Sequence, residues 1–146
     1  MYLSVIIPAK NEEKHIQRTV QSVFDYLTSH TIEHEIIVVS NGSVDKTDDI
    51  VRRLMMTVPT LKLIDYRHMA GKGYAVKQGM LKAIGQFRLF MDADNSTSID
   101  HLEKMMPYFE QGYGVAIGSI AVKGTVIAGG SEPAWRRLFG KIFNIS

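Results

Sequence analysis

Asp92 and Asp94 stand one residue apart in FRLFMDADNST, directly after an apolar run. A buried carboxylate without a partner is costly, so two of them at a strand's exit require a cation or water. A strand alternates its side chains with a period of two, which lets both carboxylates point to the same side. Hard oxygen donors suit Mg²⁺ or Mn²⁺, ions that keep waters and share a diphosphate rather than demand a full protein cage. Asp92 and Asp94 are thereby candidate metal ligands at a diphosphate site. Asp94 and Asn95 equally suit a turn and a cap ahead of a helix at Ile99, and spacing alone favours that plainer reading.

Two other loops carry usable groups. In RHMAGKGYAV, Gly71 and Gly73 let the backbone approach a phosphate while Lys72 supplies charge. Val76 fills the third glycine position of a dinucleotide fingerprint, and no Ser or Thr follows Lys72, so neither an NAD site nor a P-loop is expected. A glycine-bearing turn explains the same residues. In SNGSVDKT, Ser40 and Asn41 place a hydroxyl and an amide where a base or ribose can hydrogen-bond, and turn formation again explains them.

Composition removes several classes of chemistry. There is no cysteine, hence no disulfide, thiolate metal site or thiol nucleophile. The five histidines form no ligand constellation and read as surface residues. The paired methionines Met55–Met56 and Met105–Met106 read as core. A net charge of +2 gives no argument for a nucleic-acid partner. The start, MYLSVIIPAK, lacks a basic region and runs into a proline, so no secretion signal is inferred, and GVAIGSIAVKGTVIAGG is too broken to span a membrane.

The elements that must position these loops follow from periodicity. Apolar runs at Leu3–Ile7, Glu35–Val39, Leu61–Tyr66, Phe87–Met91 and Val115–Gly118 read as five strands. Asn11 is expected to cap a helix with Ile16, Val20, Val23, Phe24 and Leu27 on one stripe, and later stripes include Ile50, Val51 and Leu54, then Ile99, Leu102 and Phe109. Alternating strands and helices predict an α/β domain with a mostly parallel sheet covered on both faces. Ligands of such sheets bind outside the carboxyl ends of the strands, where all the loops above gather. At the far end, Trp135, Leu138, Phe139, Ile142 and Phe143 form an apolar stripe beside Arg136, Arg137 and Lys141. This basic amphipathic helix suits a membrane interface or ordinary packing on its own sheet, the latter favoured by periodicity alone. Its exposed stripe would also suit a homodimer.

SVIIPAKNE, EIIVVSNGSVDKT, AGKGYAVKQGM, FMDADNST and VAIGS, in that order, resemble the family 2 inverting glycosyltransferases of the GT-A fold. The nearest look is to the dolichyl-phosphate mannose and glucose synthases. The resemblance covers nearly the whole chain and implies a Rossmann-like domain over residues 1–119, with an acceptor or membrane-interface segment starting in 120–146 and little of the acceptor side beyond it. It implies that Asp92 and Asp94, flanking Ala93, hold a Mg²⁺ or Mn²⁺ that bridges the donor diphosphate and act as the catalytic pair. Pro8, Ala9 and Glu12 would line the nucleoside pocket with Ser40 and Asn41, Lys72 and Gly73 would lie near the nucleotide, and Arg136 and Arg137 would meet the acceptor phosphate.

The chain departs from the family pattern where Ser40 precedes Asn41 in place of an aspartate, and where Ile120 follows Ser119 in place of an arginine. The implied reaction moves a hexose from UDP-glucose or GDP-mannose to a polyprenyl phosphate with inversion. The implied place is cytoplasmic, at the periphery of a membrane. A nucleotide-sugar-binding module without transfer is the alternative. A sugar-phosphate nucleotidyltransferase fits less well, because its first loop should be rich in glycine and arginine and here reads PAKNEEKH.

Overall fold

The computed structural model describes residues 2–66 and 71–118. The first strand, β1 (Leu3–Ala9), leads to α1 (Ile16–Ser29), β2 (His34–Asn41), α2 (Thr47–Leu54), β3 (Leu61–Tyr66), α3 (Lys72–Lys82) and β4 (Phe87–Phe90). A 3-10 turn, Ile99–His101, runs into α4 (Leu102–Glu110). The chain divides into two compact units, Met1–Lys104 and Met105–Ser146.

The sheet is parallel throughout, with strand order β3-β2-β1-β4. Every residue of β1 and β2 is buried, around the apolar runs Val5–Ile7 and Ile36–Val39, whereas the edge strands β3 and β4 are only partly covered. Right-handed crossovers dictate the layers. The path β1 to β2 to β3 moves one way across the sheet and the path β3 to β4 returns, so α1 and α2 cover one face and α3 the other. Accordingly α1 packs beside α2, while Ala75 of α3 and Ala83 directly after it pack on Ile6, Ile37 and Val39. Gly79 sets how close α3 can come, since a Cβ there would lie 2.4 Å from Ile6 Cγ2.

A buried polar cluster closes the opposite end of the sheet. Glu35, with its side chain 1% exposed, accepts hydrogen bonds from Ser4 Oγ (2.6 Å), Lys62 Nζ (2.7 Å) and Ile84 N (2.8 Å). Ser4 Oγ in turn accepts from Gly85 N at 2.8 Å. Burial would raise the Glu35 carboxyl, but these donors together hold it below its ordinary value. The carboxylate therefore fastens the α3–β4 connection to both central strands.

Four expectations change. Residues 115–118 are not a strand, and Val115 and Ile117 are 75% and 83% exposed. An apolar run becomes a strand only where a neighbour completes its hydrogen bonds. Asn11 caps no helix, since α1 starts at Ile16 after a turn in which Glu12 O accepts from His15 N and Ile16 N. Met55 and Met56 lie directly after α2, 41% and 86% exposed, and Met105 and Met106 of α4 are only half-buried, so neither pair belongs to the core. His34 is buried, with Nδ1 2.7 Å from Ile32 O and its ring edge-on to Phe24.

Candidate functional site

The loops leaving β1 and β2 are laced together through their backbones. Asn11 has a left-handed backbone, φ +56°, and its Oδ1 accepts from Val44 N at 2.9 Å while its own N–H donates to Ser43 Oγ. Glu13 N donates to Asp45 Oδ2 and Lys46 N donates back to Glu13 Oε2, both at 3.1 Å. Between these pairs, Glu12 N donates to Thr47 Oγ1 at 2.8 Å. Thr47, fully buried at the start of α2, donates its own hydroxyl and N–H to Asp45 Oδ1 at 2.5 and 3.0 Å. Burial would raise the Asp45 carboxyl; the Thr47 and Glu13 donors hold it below its ordinary value. The side chain of Glu12 is meanwhile 3.0 Å from the His15 ring.

After β4 the chain turns sharply. Asn95 N donates to Asp92 O at 3.4 Å and Asn95 itself is left-handed, φ +57°. Asp92 and Asp94 thus sit in a turn, so the alternation of a strand is not what brings them to one cleft. Thr19 Oγ1 of α1 donates to Ala93 O at 2.7 Å and fixes the turn from below. Burial would raise the Asp94 carboxyl, but the N–H of Ser96, 2.9 Å away, and the Ser96 hydroxyl keep it below its ordinary value and so ionised. Asp92 Oδ1 receives Lys72 Nζ at 2.5 Å. Lys72 is the first residue of α3, directly after Gly71, whose φ of +83° is a conformation that favours glycine.

One cleft of about 430 Å³ opens over these strand ends, within the range of roughly 300–1,000 Å³ common for small-ligand sites. It is lined by Pro8, Ala9, Lys10, Glu12, Asn41, Gly71, Lys72, Ala75, Asp92, Ala93 and Asp94. It lies where β1 and β4 adjoin, the point at which the strand order reverses. Of the residues singled out in the sequence, Ser40 is buried with its hydroxyl on Ser43, and Gly73 is exposed in the first turn of α3 outside the lining. Arg136 and Arg137 lie outside the described residues. Lys10, Ala75, Asp45 and Thr47 were not legible as parts of the site, although D-x-T ahead of a helix is a recognisable turn signal for the last two.

Two carboxylates suit a divalent cation that takes its remaining oxygens from a diphosphate and water, and Asp92 already receives a cationic group. Among the described residues no three His, Asp or Glu side chains converge to form a complete protein cage.

A parallel sheet with its cleft at the strand reversal is the GT-A, Rossmann-like architecture, shared with S. aureus TarS (TM-score 0.64, 25% identity, 84% of this chain and 40% of that one). It is shared also with the mannosyltransferase PcManGT from Pyrobaculum calidifontis, solved with GDP-Man and Mn²⁺ (TM-score 0.56, 30% identity, 63% of this chain and 27% of that one). The sequence model described as "Glycosyl transferase family 2" matches residues 4–143, and the chain belongs to that family. Among curated relatives, a dolichyl-phosphate beta-glucosyltransferase of Trichomonas vaginalis is 35% identical over 108 residues, 70% of this chain and 33% of the relative. That of Drosophila melanogaster is 36% identical over 135 residues, 82% of this chain and 40% of the relative. The chain thus spans a third to two fifths of the relatives it matches. No helix among the described residues is long and apolar enough to cross a membrane.

Proposed function

We propose that this chain carries the donor site of an inverting hexosyltransferase that moves a hexose from UDP-glucose or GDP-mannose to a polyprenyl phosphate. The observation that carries the reading is the meeting of Asp92, Asp94 and Lys72 with Pro8, Glu12 and Asn41 in one cleft. The family and the names of the dolichyl-phosphate relatives support the acceptor class. The GDP-Man and Mn²⁺ bound to PcManGT support the donor class and the metal.

In this reading Pro8, Ala9, Glu12, Ser40 and Asn41 form the nucleoside end of the cleft, and Asp92 and Asp94 hold a Mg²⁺ or Mn²⁺ against the diphosphate. The bound ion supplies neutralising charge for the departing diphosphate. Lys72 adds a second positive charge at the same end, with Gly73 beside it, and Arg136 and Arg137 receive the acceptor phosphate near a membrane surface. A phosphate oxygen of the acceptor attacks the anomeric carbon while the carbon–oxygen bond to the diphosphate breaks on the opposite side, which inverts the centre. The acceptor is already an anion near neutral pH, so no protein base need take a proton. Orientation of the two substrates over the strand ends is the protein's main contribution.

Titration calorimetry with UDP-glucose and GDP-mannose, each with and without Mn²⁺, tests the reading. Metal-dependent binding of one donor, lost in Asp94→Ala while the melting temperature holds, is expected. Equal binding by Asp94→Ala would sink it. Binding without transfer to a lipid phosphate would assign the chain as a nucleotide-sugar-binding module.

A further inference from the structure

The Lys72–Asp92 pair sets two partners at one carboxylate oxygen in competition. Lys72 Nζ lies 2.5 Å from Asp92 Oδ1, and the side chains are 61% and 43% exposed. The residues are 20 apart in sequence and reach each other from different loops, one at the start of α3 and one beyond β4. Both line the same cleft. An oxygen that receives an ammonium proton at this distance has that lone pair engaged, and an ammonium beside a divalent ion adds like-charge repulsion. The half-open setting keeps the pair weak enough to exchange, and the four-carbon stem of Lys72 can swing without disturbing α3.

We propose, building on the donor-site reading above, that Lys72 is the resident counter-ion of Asp92. It competes with a free divalent cation for the carboxylate, and it moves to the diphosphate when nucleotide and cation arrive together. The cation alone then binds weakly, because it must displace an ammonium. With a nucleoside diphosphate present the ammonium gains a new anionic partner, and Asp92 is free to hold the ion. Loss of Lys72 consequently affects the two kinds of binding in opposite directions. A residue that only props up the loop would shift both the same way.

Free Mn²⁺ followed by electron paramagnetic resonance, with and without UDP or GDP, makes the test on wild type, Lys72→Met, Lys72→Arg and Asp92→Asn. Without nucleotide, Lys72→Met is expected to bind Mn²⁺ about five- to tenfold tighter than wild type, and Lys72→Arg, which keeps the charge, within about twofold of it. With Mn²⁺ present, Lys72→Met is expected to bind the nucleotide about fivefold more weakly. Lys72 is exposed, so the melting temperature of these variants serves as the folding control. Unchanged or weaker Mn²⁺ binding by Lys72→Met, with Asp92→Asn losing it, overturns the competition and leaves the metal site standing. Tighter Mn²⁺ without weaker nucleotide overturns the transfer of Lys72 to the diphosphate. No Mn²⁺ bound by any variant, with or without UDP and GDP, overturns the donor-site reading and this inference with it.

Discussion

Replacing Thr47 by valine tests whether the loops after β1 and β2 behave as a single wall. Valine keeps the branched shape at a fully buried position, so the change is confined to the hydroxyl. Two hydrogen bonds disappear, one accepted from Glu12 N at 2.8 Å and one donated to Asp45 Oδ1 at 2.5 Å. The neutral bond contributes about 1 kcal/mol net and the one to a carboxylate about 1.5–3 kcal/mol. A methyl in place of the hydroxyl returns about 0.8 kcal/mol of apolar burial. The balance is a loss of roughly 2–3 kcal/mol, read as a lower urea midpoint at unchanged slope. Amide exchange at Glu12 should accelerate in the native state, and metal-dependent donor binding should weaken. Thr47→Ser restores the hydroxyl and should recover most of the loss. A destabilisation under about 0.5 kcal/mol with unchanged exchange at Glu12 would refute the coupling, because the bonds would then hold nothing in place.

Glu35 gives a pH test. Its carboxyl sits below the ordinary 4.5 in the folded protein, so its contribution to stability is present above that value and is lost as pH falls through the lower folded one. Glu35→Gln should therefore show a flatter acid limb in urea midpoint against pH, and parallel limbs would contradict the assignment. Gly79→Ala sets helix propensity, a gain of about 1 kcal/mol, against overpacking on Ile6 of about 1–3 kcal/mol. Because the added Cβ would lie 2.4 Å from Ile6 Cγ2 on a fully buried strand, overpacking should win and the melting temperature should fall. A rise would show that α3 can lift away. Gly71→Ala meets no atom within 4 Å among the described residues but forces φ +83°, ψ 165° on an L side chain, so a loss of about 1–3 kcal/mol in urea unfolding is expected from backbone conformation alone.

The central architecture was legible because β1 and β2 are buried on both faces, and the apolar runs Val5–Ile7 and Ile36–Val39 at their centres state that directly. Strand 115–118 was misread for the complementary reason: apolar content does not reveal whether a ladder partner exists. Asn11 shows a second limit. An amide five positions ahead of an apolar stripe offers a local cap, yet the same group satisfies a backbone N–H 33 positions away. Only the folded path decides between a near and a distant donor. His34 was misread because an isolated imidazole carries no periodic signal, and its burial follows from the strand it opens. In the candidate site, Asn41, Gly71, Lys72, Asp92 and Asp94 could be read from amide, glycine and charge placement at strand ends, whereas Pro8, Ala9, Glu12 and Ala93 came only from the family resemblance. The Lys72–Asp92 contact could not, since nothing local links residues 20 apart.

The lacing of Asn11, Glu12 and Glu13 to residues 43–47 has a bearing on how such domains can be recombined. Each loop supplies acceptors for backbone N–H groups of the other, so neither keeps its shape as a separable part. A transplant of the first loop alone into another domain of this architecture would leave amides on both sides unmatched, whatever the quality of its own sequence. Residues 8–13 and 40–47 form one cassette, to be exchanged together or left in place.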